Sequence, residues 1–141
     1  MTVKGKRFVV LLANAVIPLT VGLMIYLTAG GRTYVADLFS NIGIMFPRIQ
    51  YPQLIRNHAC DFLWAYSLLS MLMLVMGKEE IKRNIKIILA TVFFSIVLES
   101  IQIVPMIPGT FDLLDVLTEL IAIMLAVLIT HVIIGRFRYE N

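Results

Sequence analysis

Charge is scarce in this 141-residue chain: 15% of residues are charged against 60% apolar, and the mean hydropathy is +0.90. A soluble globular domain devotes about a quarter of its residues to charge, so most water-facing folds are excluded. Glycine (8) and proline (5) are too sparse and too unperiodic for a collagen-like, low-complexity or disordered polymer. Cysteine is nearly absent. Cys60 alone cannot close an intrachain disulfide, and zinc-binding spacings are missing. A membrane protein of one domain remains.

Four apolar runs approach the roughly 20 helical residues needed to cross a hydrocarbon core about 30 Å thick. They predict spans at about 8–29, 59–76, 85–104 and 113–134 in a single polytopic domain, 1–141. The first run follows Lys4, Lys6 and Arg7 and exits through Gly30 and Gly31. It is too long for the core of a cleavable signal peptide, and Leu27 breaks a small-x-small cleavage site before Ala29. The second ends at Gly77, the third at Pro105, and the fourth has Asp112 or Thr110 as a cap and Gly135 beyond its last turn.

Positive residues are retained on the cytoplasmic side of short connections. Lys4, Lys6, Arg7, Lys78, Lys82, Arg83, Lys86, Arg136 and Arg138 fall on one side of this topology, leaving Arg32, Arg48 and Arg56 on the other. The expectation is a membrane protein with both termini in the cytoplasm. The net charge of +3 is then topological, and no nucleic-acid partner is implied.

The external connection from Gly30 to Ala59 is long and not polar. Tyr34, Val35, Leu38, Phe39, Ile42, Met45 and Phe46 recur at roughly helical spacing, which predicts an interfacial or re-entrant segment or a cap over the bundle. Pro47 and Pro52 keep the following stretch extended.

Ionisable residues within apolar spans cost about 2.5–3.5 kcal/mol each on insertion scales, so each needs a partner, a wet cavity or a task. Glu99 stands five residues before the outer end of the third run, about 7–8 Å deep at the helical rise. Thr91, Ser95, Glu99 and Gln102 are spaced by four, four and three and share one helix face. Asp112, Asp115 and Glu119 share a face of the fourth run, continued by Ala122 and Ala126, small enough for close packing. His58 and Asp61 share a face at the start of the second run, with Cys60 pointing elsewhere. On the first run, Asn14, Pro18, Gly22 and Ala29 read as a packing stripe.

The predicted topology brings Arg56, His58, Asp61, Glu99, Gln102, Asp112, Asp115 and Glu119 to the outer side, with Arg32 and Arg48 nearby. Close carboxylates in a low dielectric require protons, arginine or a cation. An outward polar pocket follows, against the plainer reading that Arg56 or Arg48 neutralises Glu99 and Asp115 to fix helix register. No cofactor is implied, although His58, Asp61, Glu99, Asp115 and Glu119 are compatible with a divalent cation. A cysteine nucleophile is disfavoured, because Cys60 does not share a face with His58, and His131 belongs near the opposite surface. The methionines read as core filler, and Trp64 and Tyr66 as interfacial anchors.

The order of three motifs, Asn57-His58-Ala59-Cys60-Asp61, then Glu99-Ser100-Ile101-Gln102, then Gly109-Thr110-Phe111-Asp112-Leu113-Leu114-Asp115-Val116, resembles VanZ-like membrane proteins, whose prototype is linked to teicoplanin resistance. The resemblance spans about residues 57–130. It aligns Asp61, Glu99, Gln102, Asp115 and Glu119 with that family's polar positions. The chain departs from the pattern in having His58 before Asp61 and in carrying Glu119 where the family more often has Asn. The resemblance implies a small polytopic bacterial envelope protein, placed in the bacterial cytoplasmic membrane.

Taken together, the expectation is an all-α membrane protein, a bundle of four transmembrane helices with an interfacial or re-entrant segment in the first external loop. The leading function is binding of an amphiphilic or lipid-linked envelope ligand, a cell-wall precursor or a lipopeptide or glycopeptide antibiotic. Arg32, Arg48 and Arg56 would meet anionic headgroups. An enzyme acting on a lipid-linked substrate, with Asp61, Glu99 or Asp115 as base and His58 as acid, is the alternative, alongside an ion or proton conduit. The expected partners are membrane lipids and the ligand, with an oligomer or larger membrane complex as a further assembly.

Overall fold

A computed structural model of the chain describes residues 3–29, 34–76, 81–102 and 112–138, excepting the side chains of 34–37, 81–84 and 138. Every regular element among them is helical: α1 Val3–Thr28, α2 Tyr34–Asn41, α3 Gln53–Met76, α4 Ile81–Ile101 and α5 Leu113–Arg138. Gly30, Gly31, Arg32, Gly77, Lys78, Pro105 and the stretch 109–111 lie outside the described residues.

Among the described residues three helices, α1, α3 and α5, are long and apolar enough to cross a membrane. Each extends past its apolar run, α3 by six residues toward its start and α5 through Gly135 to Arg138. In an apolar environment a helix satisfies its own backbone groups, and a single interior glycine costs only about 1 kcal/mol against that need. Gly135 therefore sits within the last turns rather than beyond them.

The helix ends follow local chemistry. The Pro52 carbonyl accepts the first bond of α3, from Arg56 N at 3.0 Å. The Asp112 carboxylate accepts from Leu114 N at 2.9 Å and caps α5. The end of α2 is a left-handed glycine cap, with Gly43 at φ 81°, Gly43 N donating to Ser40 O at 3.0 Å and Ile44 N to Phe39 O at 2.9 Å. Phe39 then meets Phe46 edge-on at 5.4 Å between ring centroids. The extended return is tied to the end of α1, where the Thr28 carbonyl accepts from Ile49 N at 2.8 Å and the Thr28 and Tyr51 hydroxyls pair at 2.9 Å.

α3 is the hub, packing on α1, α5 and, less extensively, α4. The core joins Ala65, Tyr66, Leu69 and Met73 of α3 to Ala122, Ile123 and Ala126 of α5. The two alanines are fully buried, as small residues at a close helix crossing must be. Tyr66 is part of this core and not an interfacial anchor. Its hydroxyl donates to Asn14 Oδ1 at 2.7 Å, and Asn14 Nδ2 reaches Ser70 Oγ at 3.4 Å, so polar groups tie α1 to α3 inside the bundle. Large apolar side chains such as Phe8, Ile17, Phe93, Met124 and Val132 cover the outside.

α1 and α3 approach most tightly at Gly22. A Cβ there would lie 2.9 Å from Trp64 Cδ1 and Nε1. The Cys60 thiol donates to the Gly22 carbonyl at 3.6 Å, so the cysteine serves this contact. Gly22→Leu is expected to cost about 1–3 kcal/mol, the usual penalty of overpacking. It should also shift the emission of Trp64, the chain's one tryptophan. Thermal denaturation with fluorescence checks both, and an unchanged spectrum would contradict the close approach.

Candidate functional site

Between the flanks of α1 and α4, which the core holds apart, lies a half-open cleft of about 500 Å³. This is within the usual span of small-molecule sites, roughly 300–1,000 Å³. Its polar lining comes from Asp61 and Ser67 of α3, Ser95 and Glu99 of α4, Gln102 just past α4, and Glu119 of α5. Its walls are apolar, with Leu19 from α1, Trp64 and Leu68 from α3, and Phe94 and Leu98 from α4, all exposed toward the outside of the bundle.

The polar stripe of α4 explains how Glu99 reaches this position. Thr91, Ser95 and Glu99 are all buried, turned together against α3 and α5. Thr91 returns its hydroxyl to the Ile87 carbonyl at 2.9 Å, while Ser95 lies within hydrogen-bonding reach of the Glu119 carboxyl. Glu99 is only 5% exposed. One of its oxygens accepts from Gln102 Nε2 at 3.2 Å, and the other, Oε2, is buried with no protein partner. Glu119 Oε2 is buried and unpartnered in the same way. Asp61, Asp115, Glu99 and Glu119 are close enough to act on one another electrostatically.

Asp115 and His58 form a separate unit beside the cleft, His58 Nδ1 lying 2.5 Å from Asp115 Oδ1. The pair is mostly buried, at 15% and 18% side-chain exposure, and joins α3 to α5 near the starts of both helices. His58 also lines a shallow apolar groove of about 320 Å³ with Leu54, Phe62 and Thr118. A carboxylate on one ring nitrogen fixes the imidazole orientation and leaves Nε2 as the nitrogen open to other chemistry.

The predicted residues therefore divide. Asp61, Glu99, Gln102 and Glu119 line the cleft; His58 and Asp115 pair next to it. Asp112 is spent on capping α5. Arg56 is exposed, its Nε 3.5 Å from Asn57 Oδ1, and does not line the cleft. Arg48 is exposed as well, and no basic side chain lines the cleft among the described residues. Arg56 and Arg48 thus lie outside the cleft and Asp115 pairs with His58, so the plainer reading, arginine neutralising Glu99 and Asp115 to fix helix register, is not supported. Among the described residues no three His, Cys, Asp or Glu side chains are grouped to hold a metal ion. His131 turns Nδ1 to the Val127 carbonyl at 2.9 Å and buries Nε2 without a partner, rather than presenting its ring at an interface.

Trp64 and the α1 contribution were not legible as site residues. Trp64 falls three residues after Asp61, a spacing that puts both on one face, whereas nothing in the pattern of α1 marks Leu19.

The His58–Asp115 pair should act as one unit in stability. His58→Gln and Asp115→Asn are each expected to lower the unfolding midpoint. A double-mutant cycle should give a coupling of about 1–3 kcal/mol, as for a partly buried hydrogen bond to a carboxylate. Additive effects would show that the pair does not hold α3 to α5.

Compared with protein-family models, curated proteins and solved structures, the chain shows no match.

Proposed function

We propose that the protein binds an amphiphile of the bacterial cell envelope, taken up from the bilayer into the cleft between α1 and α4. The observation that carries this reading is the composition of the cleft: carboxyls Asp61, Glu99 and Glu119 on its inner side and exposed Leu19, Trp64, Leu68, Phe94 and Leu98 on its walls. A polar head would sit among the carboxyls while its chain runs along the apolar walls and continues into lipid.

In this reading α4 is the fourth span, its apolar run completing a bundle with α1, α3 and α5. Both termini are cytoplasmic, so the carboxyls lie beneath the outer surface. The segment from α2 to Tyr51 rests at that surface, consistent with exposed Leu38, Ile42 and Met45. The resemblance of the motifs around Asp61, Glu99 and Asp115 to VanZ-like proteins supports an envelope role, with resistance to a lipopeptide or glycopeptide antibiotic as one setting.

A second reading draws on the His58–Asp115 pair. A carboxylate-oriented imidazole facing an apolar groove is suited to general acid or base work on a lipid-linked substrate. Turnover of a labelled lipid by purified protein, lost in His58→Gln, separates this from simple binding.

Glu99→Gln tests the leading reading. Losing a hydrogen bond to a charged group costs about 1.5–3 kcal/mol, so retention of the co-purifying amphiphile should fall roughly 10- to 100-fold. Native mass spectrometry reads this loss, and circular dichroism should show unchanged helix content. Undiminished retention would remove Glu99 from the site.

A further inference from the structure

We infer that the head group accepted by the cleft is a cation, a primary or secondary ammonium, and not a phosphate. This inference rests on the cleft being an amphiphile site and names the chemistry of its ligand. Two residues that line the cleft, Glu99 and Glu119, each keep one buried carboxyl oxygen, Oε2, with no hydrogen-bond partner in the protein. Buried polar atoms are nearly always paired, so two orphaned carboxyl oxygens on side chains that border one cavity point to donors that the ligand brings when those side chains turn toward it.

The surrounding groups favour the same sign. Gln102 has committed its amide nitrogen to Glu99 Oε1, which leaves its carbonyl oxygen as another acceptor. Asp61 adds a third carboxyl to the lining, and the described residues supply no lysine or arginine there. A phosphate would face carboxyls with no cationic side chain between them. An ammonium carries donors only, and with no lysine or arginine in the lining it supplies the countercharge for a carboxyl that is ionised there. Trp64, on the wall one turn beyond Asp61, offers an aromatic surface that also favours a cation.

The apolar walls require that this cation carry a hydrocarbon or other lipophilic body. Leu19, Leu68, Phe94 and Leu98 offer no polar group to a free inorganic cation or a small hydrophilic amine. The ligand class is therefore a cationic amphiphile: an aminolipid, a lipid acylated with a basic amino acid, or an amine-bearing lipopeptide.

The experiment uses the full chain in phosphatidylcholine nanodiscs and a photoactivatable diazirine alkylamine, with the alcohol and phosphate monoester of the same chain as comparison probes. Labelled peptides are mapped by mass spectrometry. The amine should label α3 around Trp64 and α4 around Phe94 about tenfold more than either comparison probe, the margin expected from one charge-assisted hydrogen bond. Excess unlabelled dodecylamine should compete, and Glu99→Gln with Glu119→Gln should abolish the preference. Equal labelling of the cleft by all probes would overturn the cationic assignment while leaving the amphiphile site standing. Preference for the phosphate would overturn it by reversing its sign, and labelling that avoids the cleft would overturn both. Because selectivity among the probes is read on the unaltered protein, the outcome does not depend on how the variants fold.

Discussion

Placing carboxyls among apolar helices is the constraint from which the arrangement of this protein follows. Each such group is expensive in hydrocarbon, and the expense falls only when polar neighbours, water or a ligand take up its lone pairs. Asp61, Glu99 and Glu119 arrive from three different helices and line one cleft, so a local defect becomes a shared polar surface. Ser95 and Gln102 satisfy part of it. Glu99 Oε2 and Glu119 Oε2 remain without a protein partner.

Position is set by α3. It carries Tyr66 and Ser70 toward Asn14 of α1, Leu69 and Met73 into the core with Ala122 and Ala126, and His58 onto Asp115. Because α1 and α4 both lean on this hub rather than on each other, a lateral opening remains between them. Packing density at Gly22 and at the α5 alanines keeps the cleft walls from collapsing inward, since a close-packed interior yields little to strain.

Much of this was readable beforehand where helical spacing does the work. The steps of four from Thr91 through Ser95 to Glu99 predict one face, and burial places all three on it. Asp112 was readable as a cap because a short side chain before an apolar run has a local partner in the next turn. Tyr66 was misread because an aromatic near a helix start suits either the interface or the core, and only Asn14, arriving from a distant helix, decides between them. The arginines misled for a similar reason. Charge outside the apolar runs reports topology, while the contact such a side chain makes depends on the helix face it occupies, and Arg56, exposed in the first turn of α3, reaches its chain neighbour Asn57. The opening between α1 and α4 is a gap between elements, and no residue pattern encodes it.

The central claim is that acids of separate helices meet in one cleft, and proximity cross-linking tests it most directly. In a Cys60→Ser background, Glu99→Cys combined with Glu119→Cys should cross-link rapidly with a short bifunctional thiol reagent in membranes. The outward-facing pair Phe93→Cys with Met124→Cys should not. Equal cross-linking of both pairs, or of the outward pair alone, would contradict a shared cleft and with it the function proposed for this protein.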